Sequence, residues 1–343
     1  MTVPTPPFSH LLRLGDETGI FEHALGTEPR RGHGYCTDDV ARALVVLVRE
    51  ESSEVELSRL LERCLAFVEA SQLPSGVFRN RRAADGTWRD SGGPDDTQGR
   101  ALYGLAVTVA RADVELARPA LAAFRRGCGF RSPSPRANAA AVLAAAELLG
   151  ARPEERAARK LLMHAATGIG RIGSSPEWPW PESRLAWGNA LLPEARIAAG
   201  VGLGDDRLLQ EGLDLLDWLV DVESGPGGHF SFTPVAGWAR GEPRPAFDQQ
   251  PIEAGTMADA CARAFAVTGE QRFAEGTLRA ARWFLGENDL GLPLLDRATG
   301  GCADGLTAGG VNLNEGAEST LALIGALQQA QRVEQALQAP SAA

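Results

Sequence analysis

Lysine is almost missing from this sequence: Lys160 is the only one among 34 basic residues. Phosphate-loop and Schiff-base chemistry both depend on a lysine, so those enzyme classes have little to work with here. Cysteine is sparse and unpaired in pattern. Cys36, Cys64, Cys128, Cys261 and Cys302 form no CxxC pair, which excludes a disulfide scaffold or zinc ribbon and fits a reducing compartment. The five histidines, His10, His23, His33, His164 and His229, show no HxxxH spacing, and no metal ion or cofactor is expected. Positive charge is outnumbered, with 34 basic against 44 acidic residues and a net charge of -10, so neither nucleic acid nor an anionic membrane is an expected partner. No apolar run reaches the roughly 18 residues of a membrane span, and the start lacks the basic, apolar, small-residue order of a secretion signal, so the expectation is a cytoplasmic protein.

What is abundant is apolar residues, 44% of 343, enough for a large core. Repetition shows as helix starts. Six segments open with polar or acidic residues and continue with Ala, Gly and aliphatics at helical spacing: TDDVARALVVLVRE from Thr37, DDTQGRALYGLAVTVA from Asp95, SPRANAAAVLAAAELLG from Ser134, WGNALLPEARIAAGVG from Trp187, QPIEAGTMADACARAFAVTG from Gln250 and NEGAESTLALIGALQQA from Asn314. Between them lie helices charged on one face and apolar on the other, such as VELSRLLERCLAFVEAS and EQRFAEGTLRAARWFLG; the sixth is FSHLLRLGDETGIFEHAL near the start. Small-residue helices that pack on both sides, alternating with amphipathic ones, predict an all-α (α/α)6 toroid. The expectation is one domain over 1–343, with its core at about 8–332 and a frayed tail at 333–343. GVFRN (76–80) and GHFSFTP (228–234) are expected as short hairpins. The loops joining outer to inner helices are long and rich in Gly, Pro and Trp, which puts the functional rim at the inner-helix N-termini.

The residues expected at that rim suit a sugar. Trp88, Trp178, Trp180, Trp187 and Trp238 lie in or beside the long loops, and flat aromatic faces take the C–H surface of a pyranose while acids and amides take its hydroxyls. The acids are Asp38, Asp39, Asp95, Asp96, Glu182, Asp248, Glu253, Glu315 and Glu318. Glycoside cleavage needs one protonated and one ionised carboxyl. Asp at a helix start is also an ordinary cap, so Thr37 or Asp38 is expected to cap its helix while Asp39 faces the mouth. Each acid pair, in TDD and PDD, has an arginine close behind it, Arg42 or Arg100. Asp39 and Asp96 are the candidates for ionised roles. Glu253 and Glu182, with the most apolar sequence neighbours, are the candidate proton donors. Gln98, Asn189, Gln249 and Gln250, with Trp180, Trp187 and His229, complete the expected sugar contacts. The competing readings are an epimerase working through His33 and His229, and a non-catalytic glycan-binding module. Cys36 is read as packed rather than as an activated thiolate. DDTQGR invites a magnesium-diphosphate reading, but Gly99 stands where its further aspartate belongs.

The blocks GYCTDDVARAL (34–44), FDQQPIEA (247–254), GGCADGL (300–306) and NEGAEST (314–320) resemble those of six-hairpin glycosidases and, more closely, of a bacterial group often labelled glycosyltransferase. Val40 stands where that group has Asn. DTQGRALYGLA (96–106) is similar in style to a helix start of unsaturated glucuronyl hydrolases. The resemblance implies a toroidal carbohydrate-active enzyme, an oligosaccharide substrate, and functional association with a glycosyltransferase or mannoside-processing enzyme. No strand with a Gly-rich turn is present to supply a Rossmann-type sugar-nucleotide site.

Overall fold

The computed structural model describes residues 3–52 and 54–339. Among them are twelve α-helices: α1 (Ser9–Leu14), α2 (Thr37–Arg49), α3 (Val55–Ser71), α4 (Asp95–Arg111), α5 (Val114–Gly127), α6 (Pro135–Ala151), α7 (Arg156–Ala166), α8 (Leu191–Leu203), α9 (Asp206–Val222), α10 (Pro251–Thr268), α11 (Gln271–Trp283) and α12 (Ala317–Gln338). The even-numbered helices form the inner ring, each packing on the next, with α12 closing on α2; the odd-numbered helices sheath them. This is the (α/α)6 toroid the alternation predicts. None of these helices is long and apolar enough to cross a membrane.

The residue types explain the two layers. Inner helices touch neighbours on several sides and so need small residues. A Cβ on Gly104 would lie 2.6 Å from the Ala41 carbonyl oxygen of α2, and one on Gly99 would lie 2.6 Å from that of Ala137 in α6. Outer helices instead bury one stripe of large side chains, and Phe124, Phe273 and Trp283 are fully enclosed. The outer helices α5, α7 and α9 begin with their own side-chain caps, Asp113, Glu155 and Asp205.

Four expectations need correction. The sixth outer helix stops at Leu14: Asp16 accepts the backbone N–H groups of Thr18 and Gly19, turning the chain, and the segment continues as loop to the short strand at Ala24–Leu25. Neither 76–80 nor 228–234 is a hairpin. Each contributes an isolated bridge, at Phe78 and Phe230, and the two-stranded pairings are Ala24–Leu25 with Glu28–Pro29, Tyr35–Cys36 with Arg81–Arg82, Arg184–Leu185 with Trp238–Ala239, and Gly305–Thr307 with Gly310–Asn312. The helix expected from Trp187 begins at Leu191, leaving Trp187 on a turn with Gly188 at positive φ. The tail continues α12 through Gln338, while residues 340–343 lie outside the described residues.

Five of the six connections from outer to inner helices are long, spanning 15–36, 72–94, 167–190, 223–250 and 284–316, with 128–134 the exception, whereas the reverse connections are as short as 204–205. The long loops therefore gather on the rim where inner helices begin.

Candidate active site at the inner-helix mouth

The N-termini of α2, α4, α10 and α12, unlike those of α5, α7 and α9, have no side-chain cap of their own. This corrects the expectation of a Thr37 or Asp38 cap. The Thr37 hydroxyl donates to the Arg79 carbonyl instead, at 2.7 Å, and the Asp38 N–H is met by Asn80 Oδ1 at 3.3 Å, from the loop before α4. Asp304 does the same for α12 by accepting the Gly316 N–H at 2.8 Å. Because distant loops supply the caps, Asp38, Asp39 and Asp96 are left facing a cavity of about 540 Å³.

Six carboxyl groups line that cavity: Glu22, Asp38, Asp39, Asp96, Asp304 and Glu318. Arg42 is their hub, reaching Asp38 at 3.3 Å, Asp39 at 3.6 Å and Glu318 in a short contact, while Arg100 Nε lies 3.1 Å from Asp38. Three carboxyls thus share two guanidinium groups, and one proton is favoured on the least compensated acid. Asp39 is that acid. It is 5% exposed, and its only ion-pair partner among the described residues is Arg42, at the longest of these distances. Burial pushes its pKa well above the ordinary aspartate value; Arg42 opposes the shift, while Asp38 and Glu318 add to it. Asp96 is half-buried and raised for the same first reason, with the neighbouring charge of Asp38 second. The Asp38, Asp39 and Glu318 oxygens lie close enough together to hold a cation, but the Arg42 guanidinium already supplies the compensating charge.

Trp187 is the one tryptophan among the residues lining the mouth. Its indole lies 5.2 Å from the Arg100 guanidinium and 5.4 Å from that of Arg136. Two acids expected as proton donors hold this tryptophan in position rather than reaching the cavity, a correction to their expected role. Glu253, buried on α10, accepts the N–H groups of Gly188 at 2.6 Å and Asn189 at 3.1 Å. Glu182 pairs at 2.5 Å with Arg136, which donates to the Trp187 carbonyl. Burial, and then the charge of Glu223, raise the Glu253 pKa to about 8.

Of the other expected contacts, Arg42, Arg100, Gln250 and Glu318 line the mouth. Gln98 and Gln249 are buried latches that accept the backbone N–H groups of Phe78 and Phe232, fixing two long loops. Asn189 is fully buried between Ala186, Arg136 and Glu223. Trp180 is buried, and with Trp178, Trp218 and Trp238 it forms an aromatic plug off the mouth; Trp88 packs on Phe67. Asp95 accepts from Ser132, Glu315 accepts from Thr299, and Asp248 is exposed outside the cavity lining. His229 binds Asp289 at 3.1 Å, while His33 packs edge-on against His23, so the pair expected for epimerisation is not assembled; His23 lines the mouth. Cys36 is buried and its thiol pKa pushed up by burial, then by Asp39 and Asp38, so it stays a thiol.

Sequence reasoning missed Glu22, His23, Asn80, Arg81, Asp304 and Asn312. Glu22 and His23 were hidden in a segment that reads as helix. Asp304 was within reach, since it stands in the quoted GGCADGL block.

No family model matches the chain, and no curated protein does. Its fold does match solved structures. A cellobiose 2-epimerase from Bacillus thermoamylovorans superposes with a TM-score of 0.74 over 96% of both chains at 10% identity. A D-mannose isomerase gives 0.69 over 95% of this chain and 94% of that one, at 11% identity. A GH76 alpha-mannanase from Bacteroides thetaiotaomicron gives 0.68 over 95% and 93%, also at 11% identity. The chain shares the six-hairpin toroid with all three, and at such identities the likeness concerns the fold.

Proposed function

We propose that this chain is a carbohydrate-active enzyme that cleaves a glycosidic bond with a pair of carboxyl groups at the mouth. The observation that supports it best is the excess of acids over guanidinium groups around Arg42, which favours a proton on Asp39 inside a sugar-sized cavity. Asp39 gives its proton to the leaving oxygen. Asp96, at the start of the next inner helix and less buried than Asp39, is the partner assigned the role of base or nucleophile. Trp187 stacks on a sugar ring, and Gln250, Asn80, Asn312 and Arg81 bond its hydroxyls.

A second reading, sugar epimerisation or isomerisation, is favoured by His23, the one imidazole among the residues lining the mouth, next to Glu22. The two readings separate in one experiment. Manno- and gluco-oligosaccharides are incubated with the protein in D2O and analysed by mass spectrometry and reducing-end assay. New reducing ends without deuterium on carbon support cleavage. Deuterium at the carbon next to the carbonyl, with chain length unchanged, would replace it by epimerisation or isomerisation, and saturable binding without either change would leave a glycan-binding module.

A further inference from the structure

The toroid has a second cavity on the rim opposite the mouth, where the inner helices end. It measures about 340 Å³, and four arginines line it: Arg49, Arg111, Arg263 and Arg332. Two of them use up the cavity's carboxylates. Arg263 holds Glu147 at 2.8 Å and Glu194 at 3.0 Å, and Arg49 holds Asp259 at 2.9 Å. Among the described residues no carboxylate pairs with Arg111 or Arg332, and Arg332 makes one polar contact, at 3.4 Å to the Arg49 carbonyl.

This surplus of positive charge sits in a chain of net charge -10, so it is not part of a generally basic surface. It also has a cost. Burial, and then the charges of Arg49 and Arg111, hold the Arg332 guanidinium below its ordinary range, with only partial relief from Asp259 and Glu51. Helix dipoles account for some of the arginines: Arg49 and Arg111 stand in the last turns of α2 and α4, where positive charge is favoured. They do not account for Arg332, which lies inside α12 well before its end at Gln338. An anion between Arg111 and Arg332 would relieve the repulsion and give both forks a planar or tetrahedral acceptor.

We propose that this cavity is a binding site for a small oxyanion of the phosphate or phosphomonoester class, held between Arg111 and Arg332. The site is separate from the mouth and does not depend on the reaction there. Between the two lies an apolar chamber of about 110 Å³, floored by Arg49, Asp259 and Tyr103.

The test is isothermal titration of the full chain with inorganic phosphate and with methyl phosphate, at constant ionic strength against chloride. Saturable binding with a dissociation constant on the order of 1 mM or tighter is expected for at least one of them, and a preference between the two separates a free-ion site from an ester site. In Arg111→Gln/Arg332→Gln the affinity falls by about tenfold or more, and Arg81→Gln at the mouth leaves it unchanged. Circular dichroism checks that the double variant folds. If it does not, Arg111→Gln alone, at an exposed residue, is expected to weaken binding as well. Absence of saturable binding up to roughly 20 mM, where a site of this strength would be nearly filled, overturns the proposal. So does affinity retained in the arginine variants or lost in Arg81→Gln.

Discussion

Asp39 is a short side chain with an unusual setting: nearly enclosed, one turn from Arg42, and without the backbone N–H partner that an aspartate at a helix start normally takes. Its raised pKa fixes a sign that kinetics can read. If Asp39 is the proton donor, turnover requires its protonated form, so activity should persist well above the pH at which an ordinary aspartate ionises and decline on the alkaline side. Asp39→Asn should lower kcat by about 10²–10⁴-fold with circular dichroism unchanged. An Asp39→Asn protein with full turnover would remove the residue from the mechanism. Four of the six acids at the mouth, Asp38, Asp39, Asp96 and Glu318, were legible because they stand at helix starts in a repeated pattern. The roles of Glu253 and Glu182 were not. Apolar sequence neighbours describe a buried structural carboxyl as well as a catalytic acid, and what separates them is the partner, here the Gly188 and Asn189 backbone far along the chain.

At the scale of helices, the inner ring depends on glycine where two backbones meet. Gly99→Ala would press a methyl group against the Ala137 carbonyl, forcing α4 and α6 apart, and should cost about 1–3 kcal/mol in urea unfolding. Gly150, near the end of α6, has open space around its Cβ position, and Gly150→Ala should stabilise by about 0.5–1 kcal/mol through helix propensity. Equal effects at the two sites would show that propensity alone governs the inner helices. The helix pattern was readable because Ala-rich and amphipathic segments differ in period and residue size. The loops were less so. Gln98 and Gln249 look like sugar ligands in sequence, yet each satisfies a loop backbone that forms no sheet, a demand that arises only once the loop is folded onto the rim.

At the scale of the whole toroid, the ring encloses carboxyl groups that report on its closure. Glu253 is pushed up to about 8, Glu194 to about 7 and Glu223 to about 6, in each case first by burial, from an ordinary value of 4.5. Glu223 and Glu253 face each other across Asn189 and titrate as a pair. A carboxyl whose folded pKa lies above its unfolded value binds its proton more tightly in the native state. Its contribution is complete below about pH 4.5 and is lost as pH rises towards 8, at about 1.4 kcal/mol per unit of displacement for an isolated group. Carboxyls shifted the other way, such as Glu147 and Asp289, act only below the ordinary carboxylate range and leave this window untouched. Buried His10, held below its ordinary 6.5, acts with the opposite sign up to about that pH, so the urea midpoint should fall most clearly between about pH 6.5 and pH 8. Glu223→Gln removes one charge of the pair and should flatten that slope. A wild-type midpoint that stays level or rises over the same window would mean that the ring admits enough water to solvate these acids.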